Sequence, residues 1–306
     1  MGKIAFVFPG QGSQWVGMGK DFYDQFELAR KIYKQAEAVL GYNLAKLSFE
    51  GPEDQLKQTL FTQPALYTHS HIVSSILNEK GLQADMAAGH SLGEFSALLY
   101  SGAFSFEEGL RLVAERGRLM AEAGQENPGN MAAIIGLDEK DVIQLCEEAA
   151  KAGIVQPANF NSPGQIVISG SKAGVDLAMD IARVKGAKRV LPLAVSGAFH
   201  SPLMKDAAEQ FKNVLEEVNF KACRIPVYAN VTASEMKDPA TIRDLSFQQM
   251  LSTVRWVETI HHMTENGVSR FIETGAGKVL SGLIKRICKE IEVVPCGSVE
   301  ELMKLT

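Results

Sequence analysis

The chain has 306 residues, 46% of them hydrophobic and 22% charged, which is typical of a globular protein large enough for two subdomains. Its formal net charge of −5 at pH 7 excludes a general attraction to nucleic acid or to an anionic membrane surface. The four cysteines are scattered without C-x-x-C spacing, and no apolar run is long enough to span a membrane. We therefore expect a cytoplasmic protein without a disulfide framework, and neither nucleic acid nor a membrane as its partner.

The first predicted strand, residues 4–8, runs into a glycine-rich loop, Pro9-Gly10-Gln11-Gly12-Ser13-Gln14. A dinucleotide-binding loop would need a glycine where Trp15 stands, and no Walker lysine is present. Two interpretations stay open. One is a loop whose backbone approaches a ligand closely, with Gln11 held between two glycines, and the other is an ordinary tight turn.

Three predicted helices separate this loop from the next strand. The first, residues 21–40, shows an amphipathic pattern. The second is a short helix that Pro52 can open, and the third begins at Thr62-Gln63-Pro64, reaches Lys80 and stops at Gly81.

The most informative stretch is Gly89-His90-Ser91-Leu92-Gly93, which has the G-x-S-x-G pattern of a nucleophile elbow. A short apolar run, residues 84–88, precedes it as a predicted strand, and residues 92–100 are compatible with a helix. The two glycines allow strand and helix to pass closely, and the serine hydroxyl then lies near the positive end of the helix. The pattern favours Ser91 as a nucleophile over a purely structural turn.

The next helix starts at Ser105, which opens an S-x-x-E capping box, and is expected to run to about Ala123, before Gly124. One charged stripe of this helix is predicted to face solvent: Arg111, Glu115, Arg118 and Glu122. Arg116 does not belong to the stripe, because its helical neighbours are Leu112 and Leu119. A guanidinium on an apolar face needs an anionic partner, either in a buried structural ion pair or in a substrate carboxylate.

From Gly129 onward the predicted elements follow the order β-α-β-β-α-β. Their ranges are residues 131–135, 138–151, 155–160, 165–169, 172–184 and 189–193. This order is that of the ferredoxin-like, or split-βαβ, unit. We interpret it as a small domain inserted in a larger α/β domain.

His200 lies in the loop Ser196-Gly197-Ala198-Phe199-His200-Ser201-Pro202, before a helix predicted at residues 203–218. It is the best candidate for a general base among the six histidines, because the others lie on helices or directly beside Ser91. The remaining predicted elements are a strand at 225–231, helices opened by Asp238-Pro239 and Arg255-Trp256, a strand at 270–273, a helix at 279–289 and a strand at 292–295.

Taken together, these motifs resemble the malonyl-CoA:acyl carrier protein transacylases of bacterial fatty acid synthesis. The resemblance rests on residues 8–14, Gly89-His90-Ser91-Leu92-Gly93-Glu94, Arg116, Gly197-Ala198-Phe199-His200-Ser201 and Val254-Arg255-Trp256. It implies an α/β-hydrolase-like large domain, residues 1–126 and 198–306, with the ferredoxin-like insert at residues 127–197.

The resemblance also implies a role for each candidate residue. Ser91 would attack a thioester carbonyl, and His200 would take its proton. The backbone N–H groups of Gln11 and Leu92 would form the oxyanion hole. Arg116 would bind the free carboxylate of malonyl. A backbone carbonyl near Gln249 would orient His200 in place of the acid of a triad. Phe199 would exclude an acyl group that carries a methyl branch.

The implied substrates are malonyl-CoA and an acyl carrier protein. We expect no cofactor and no metal; the sequence does not determine the oligomeric state, for which a monomer is the default expectation. Because the carrier is expected to be acidic, docking needs a local basic surface, and the candidate is Lys285, Arg286 and Lys289. An alternative patch on the insert comprises Lys185, Lys188 and Arg189. The competing functions are a thioesterase, which would pass the acyl group to water, and a non-catalytic carrier-docking module, which intact Ser91 and His200 disfavour.

Overall fold

Two β-sheets organise the computed structural model, which describes residues 2–305. The strands are, in chain order, β1 (Lys3–Phe8), β2 (Met86–Gly89), β3 (Gly129–Ile135), β4 (Val155–Ser162), β5 (Gln165–Ser171), β6 (Arg189–Pro192), β7 (Val227–Tyr228), β8 (Glu235–Met236), β9 (Val268–Thr274) and β10 (Glu292–Cys296).

The α-helices that pack around these sheets are also numbered in chain order. They are α1 (Lys20–Gln25), α2 (Glu27–Leu40), α3 (Leu44–Glu50), α4 (Glu53–Leu56), α5 (Thr59–Glu79), α6 (Gly93–Ser101), α7 (Phe106–Glu126), α8 (Glu139–Ala149), α9 (Lys172–Val184), α10 (Lys205–Glu217), α11 (Pro239–Gln248), α12 (Trp256–Glu265), α13 (Val279–Ile287) and α14 (Val299–Met303). Among the described residues, no helix is both long and apolar enough to cross a membrane.

The larger sheet has the strand order β10-β9-β1-β2-β7-β8 and is parallel except for the last pair. Phe8 of β1 aligns with Gly89 of β2, and Val7 aligns with Glu273 of β9. The carboxyl ends of these three strands therefore meet at one edge. In open α/β sheets this edge is where ligands bind, and the loops that follow β1 and β2 both leave from it.

The smaller sheet is antiparallel, with the strand order β4-β5-β3-β6. An apolar layer that includes Ala132, Ile134, Ile168, Leu145 and Ala178 joins it to α8 and α9. The α/β class and the β-α-β-β-α-β unit expected from the sequence are confirmed. The exact domain boundaries stay a prediction, and their outer ends, Met1 and Thr306, lie outside the described residues.

Several predicted helix limits are wrong. Residues 21–40 form two helices, because Phe26 has an extended backbone (φ −119°, ψ 126°) between α1 and α2. Helix α5 begins at Thr59 rather than Thr62, so that Pro64 lies inside it. The helix predicted at 203–218 begins with a 3₁₀ turn, Pro202–Met204, before α10. Helices α3 and α14 were not predicted.

Gly124 does not end α7, as the sequence suggested, but lies within the helix. A Cβ at this position would stand 1.9 Å from the carbonyl oxygen of Ser196, so the glycine lets the loop before His200 approach α7. The strand expected at 225–231 is limited to the two residues of β7. Helix α13 ends at Ile287, and Lys289 lies in the following turn.

Candidate active site

Ser91 stands on the tight turn between β2 and α6, and its backbone has a positive φ of 50°. Such a φ is strained for a residue with a Cβ, and sharp strand-to-helix turns of this kind expose a nucleophile. The flanking glycines are required sterically. A Cβ on Gly89 would lie 1.9 Å from the carbonyl of Gly93, and one on Gly93 would lie 2.0 Å from the carbonyl oxygen of Phe8.

Asn230 holds both sides of this turn, a role that the sequence did not indicate. Its Oδ1 accepts a hydrogen bond from the Ser91 backbone N–H at 2.7 Å, and its Nδ2 donates to the carbonyl of Gly89 at 2.7 Å. The backbone N–H of Asn230 in turn donates to Oε2 of Glu94 at 2.6 Å. These contacts stabilise the strained turn from outside the G-x-S-x-G motif.

The imidazole of His200 bridges Ser91 and a backbone carbonyl. Nε2 lies 2.8 Å from Ser91 Oγ, while Nδ1 lies 2.8 Å from the carbonyl oxygen of Gln249 and 3.2 Å from that of Ser252. Carbonyl oxygens only accept hydrogen bonds, so Nδ1 carries the proton and Nε2 accepts from the Ser91 hydroxyl. No acidic side chain among residues 2–305 forms a hydrogen bond or an ion pair with this histidine.

Burial and the Arg116 guanidinium lower the pKa of His200 to about 3. The imidazole is therefore neutral near pH 7, the form that can accept a proton. Its loop is held in place from the insert, because Gln156 Nε2 donates to the carbonyls of His200 and Leu251 at 2.9 and 3.1 Å.

The Arg116 side chain is almost fully buried, with 1% of its surface exposed, directly beside Ser91. It donates to Gln63 Oε1 and Gln249 Oε1, both at 2.9 Å, and to Ser91 Oγ at 3.2 Å. All three acceptors are neutral, and no carboxylate of the described residues forms an ion pair with this arginine. The structural ion pair considered from the sequence is therefore absent there, and burial lowers the pKa of Arg116 to about 10.

Gln11 and Leu92 approach Ser91 from the loops that follow β1 and β2. Both line one cavity with Ser91 and His200. Within residues 2–305, neither backbone N–H donates a hydrogen bond, whereas the Gln11 side chain is held by Thr59 Oγ1 at 3.2 Å. The loop after β1 thus lines the cavity through Gln11, and the free backbone N–H groups of Gln11 and Leu92 suit an oxyanion.

The cavity at Ser91 has a volume of about 140 Å³ and opens to solvent. Arg116 and Gln63 are among its polar lining residues, and Phe199, with 6% of its surface exposed, forms part of the apolar wall. The other apolar lining residues are Leu92, Met120, Met131, Leu193 and Val195. The site thus combines a nucleophile, a base, a buried cation and a mostly apolar wall. No group of histidine, cysteine or acidic side chains in the described chain could hold a metal ion.

The three basic residues predicted from the sequence to form a docking surface are exposed and do not line this cavity. Lys285 and Arg286 are on α13, and Lys289 is just beyond it. Arg286 Nη1 donates to Gln165 Oε1 at 2.7 Å, and none of the three forms an ion pair within the described residues. On the insert, Lys185 pairs with Glu148 at 3.1 Å.

Comparisons with known proteins agree with this geometry. The family model for the acyl transferase domain matches residues 5–304. A malonyl CoA-acyl carrier protein transacylase from Bacillus subtilis is 45% identical over 303 residues, which cover 99% of this chain and 96% of the relative. The chain belongs to the malonyl-CoA:acyl carrier protein transacylase family. The transacylase of Escherichia coli K12 is 44% identical over 288 residues, covering 94% of this chain and 93% of the relative.

Solved structures of the family have the same fold. An acyl carrier protein S-malonyltransferase from Vibrio cholerae matches with a TM-score of 0.97 and 44% identity, over 99% of this chain and 100% of that chain. A malonyl-transacylase in complex with a type II PKS acyl-carrier protein matches with a TM-score of 0.96 and 43% identity, over 99% and 98% of the two chains.

Proposed function

We propose that the protein transfers malonyl from malonyl-CoA to the phosphopantetheine thiol of an acyl carrier protein, as a step of fatty acid biosynthesis. The transfer passes through a malonyl ester of Ser91. The observation that carries this proposal is the buried Arg116 guanidinium, which touches Ser91 and faces only neutral acceptors. Family membership supports the identity of the two substrates.

In the first half-reaction, Ser91 Oγ attacks the thioester carbonyl while Nε2 of His200 takes the hydroxyl proton. The backbone N–H groups of Gln11 and Leu92 stabilise the oxyanion of the tetrahedral intermediate. When this intermediate collapses, the carbon–sulfur bond breaks, and the proton on His200 passes to the departing thiol of coenzyme A. The enzyme then carries malonyl as an ester.

The second half-reaction runs the same steps with a different thiol. The carrier thiol gives its proton to His200 and attacks the ester carbonyl, and Ser91 Oγ leaves with that proton. The carbonyl oxygen of Gln249 accepts from Nδ1–H throughout, so it keeps the ring in one tautomer and stabilises the transient imidazolium. The chemistry needs no cofactor, because the thioester is already activated.

Selectivity for malonyl is assigned to Arg116 and Phe199. The guanidinium would bind the free carboxylate through two parallel charge-assisted hydrogen bonds. The Phe199 ring, on the cavity wall, leaves little room for a methyl branch on the acyl group. The acyl group is therefore recognised by charge at one end and by shape along its side.

Replacing Arg116 by alanine is expected to lower malonyl transfer by about 2–5 kcal/mol of transition-state binding, the usual cost of losing a buried charge partner. Acetyl transfer should fall much less, because acetyl has no carboxylate. The values of kcat/KM for malonyl-CoA and acetyl-CoA measure the difference. Arg118→Ala is the matched control, since Arg118 pairs with Glu115 and Glu122 on the outer face of α7. An equal loss of both activities, together with a lower Tm, would make Arg116 a structural residue.

We propose that the acidic carrier docks on Lys285, Arg286 and Lys289, which are exposed cations free of ion pairs within the described residues. The double substitution Lys285→Glu and Lys289→Glu should raise the KM for the carrier and weaken its salt dependence, with malonyl-CoA kinetics unchanged. Steady-state kinetics at two salt concentrations test this. The control reverses Lys188 and Arg189 on the insert. Should only the control raise the KM, docking belongs to the insert.

The proposed location is the cytoplasm, where coenzyme A thioesters and reduced carrier thiols coexist. Free cysteines fit a reducing compartment, and Cys146 and Cys296 are buried thiols. We further propose that the enzyme acts as a monomer, because Ser91 already lies within hydrogen-bond distance of both His200 and Arg116 of the same chain.

A further inference from the structure

Glu94 is a buried carboxylate to which the mechanism above assigns no role. It is the second residue of α6, three positions after Ser91, and none of its surface is exposed. Its Oε2 accepts from the backbone N–H of Asn230 at 2.6 Å, whereas its Oε1 has no hydrogen-bond partner within residues 2–305. A buried, half-satisfied carboxylate is costly, so a specific role is expected.

The bonded oxygen connects Glu94 to the nucleophile. Asn230, itself 1% exposed, uses its side-chain amide to hold the Ser91 backbone N–H and the Gly89 carbonyl. Its own backbone N–H is held by Glu94. The carboxylate therefore anchors the residue that stabilises the positive φ of Ser91.

The same carboxylate also acts on Arg116. The Ser91 turn that Asn230 and Glu94 hold also connects to Arg116, because Gln249 Nε2 donates to the Ser91 carbonyl at 3.1 Å and Gln249 Oε1 accepts from Arg116 Nη2 at 2.9 Å. Burial raises the pKa of Glu94 and lowers the pKa of Arg116, and the charge of each group opposes the shift of the other. The Arg116 guanidinium donates hydrogen bonds only to neutral acceptors. Glu94 is therefore the source of the negative charge that acts on it.

We propose that Glu94 is a positioning residue with two effects: it anchors Asn230 behind the Ser91 turn, and it competes through charge with a malonyl carboxylate for Arg116, so that malonyl binding is coupled to protonation of Glu94. This inference rests on the proposed malonyl transfer. The competition follows because two negative charges near one buried guanidinium repel each other more strongly than they would in water.

The coupling falls in an accessible pH range. Burial raises the pKa of Glu94 to about 7. The hydrogen bond from the Asn230 N–H, the Gln249 amide and the Arg116 charge each oppose this rise. The neighbouring titratable groups, His200 and His90, have pKa values lowered by burial, so they stay neutral there. Above pH 7, malonyl binding must therefore draw a proton onto Glu94, whereas acetyl binding need not.

The test is the ratio of kcat/KM for malonyl-CoA to that for acetyl-CoA between pH 6 and pH 8. Both substrates share coenzyme A, Ser91 and His200, so the ratio cancels their titrations. In the unmodified enzyme this ratio should fall about tenfold from pH 6 to pH 8, because the fraction of enzyme with protonated Glu94 falls. Glu94→Gln should make the ratio independent of pH. The control Glu273→Gln, at a fully buried carboxylate that accepts from Leu280 and Ser281 outside the cavity, should behave like the unmodified enzyme.

A ratio that does not vary with pH in the unmodified enzyme, or a tenfold fall that persists in Glu94→Gln, overturns the charge coupling. If Glu94→Gln does not fold, calorimetry of the Ser91→Ala protein in two buffers replaces it. Malonyl-CoA should then take up roughly 0.5–1 proton more than acetyl-CoA at pH 7.5, and equal uptake contradicts the coupling. Failure of the proposed malonyl transfer would be distinguishable from failure of the coupling, because malonyl would then not be transferred at any pH.

The anchoring effect is tested by comparing two substitutions on acetyl transfer, which does not involve a carboxylate. Glu94→Gln keeps an oxygen acceptor for the Asn230 N–H, and Glu94→Ala removes it. Acetyl transfer should be lower in Glu94→Ala than in Glu94→Gln by on the order of tenfold, because alanine leaves the buried Asn230 N–H without the neutral acceptor that glutamine provides. Equal acetyl transfer in two folded variants would show that Glu94 does not anchor the turn.

Discussion

Replacing Ser91 by alanine is expected to abolish acyl-enzyme formation while leaving the fold intact. The hydroxyl is the group 2.8 Å from His200 Nε2, and alanine provides no nucleophile in its place. The turn should survive, because Asn230 holds the backbone N–H of residue 91 and not its side chain. Alanine also carries the same Cβ as serine at the positive φ. Intact-mass analysis after incubation with malonyl-CoA measures the adduct, and a thermal melt measures the fold.

Ser75 provides a matched control for this substitution. It is a partly buried serine on α5 whose Oγ lies 3.4 Å from His71 Nδ1, so it has a histidine neighbour but no elbow. Ser75→Ala should gain the malonyl adduct at the normal rate. A Ser91→Ala protein that still gains one malonyl group would refute Ser91 as the nucleophile.

Replacing His200 by alanine is expected to slow acylation by about 10²–10⁴, the usual contribution of a general base. The Ser91 hydroxyl would then lose its proton only to water. Rapid-quench measurement of adduct formation gives the rate. His262→Ala is the control, because its Nδ1 contacts the carbonyl of Ala233 at 2.7 Å, away from the cavity. Near-normal acylation in His200→Ala would assign the base elsewhere.

The pH dependence of acylation provides a second measure of His200. Its pKa, lowered to about 3, keeps the base neutral in the folded protein well below pH 6.5. Acetyl-CoA acylation should therefore keep its rate between pH 8 and about pH 5. The stability of the fold, unlike the acylation rate, depends on pH in this range. Below pH 6.5 the unfolded chain binds a proton that folded His200 does not, so stability decreases as the pH falls.

The local part of the site could be predicted from the sequence because its determinants are close together along the chain. The G-x-S-x-G turn needs only the glycines that flank Ser91, and a guanidinium between Leu112 and Leu119 on one helix face must be buried. The capping box at Ser105 likewise fixes the start of α7, and the structure has both of its hydrogen bonds.

Contacts between distant segments could not be predicted in this way. Asn230 meets Ser91 across 139 positions, and Gln63 meets Arg116 across 53 positions. Neither has a local signature, since an asparagine after a short strand or a glutamine in a helix is common. Gly124 is a further example. A glycine is required there because the distant carbonyl of Ser196 leaves no room for a Cβ, and not because a helix ends at this position.

The most direct test of malonyl transfer through Ser91 is intact-mass analysis of enzyme and carrier in one reaction. The unmodified enzyme is first loaded with malonyl-CoA, freed of excess substrate and then mixed with phosphopantetheinylated acyl carrier protein. If transfer passes through Ser91, one malonyl group leaves the enzyme and appears on the carrier thiol. Release of free malonate with an unmodified carrier would contradict it, because the acyl group would then pass to water, as in a thioesterase.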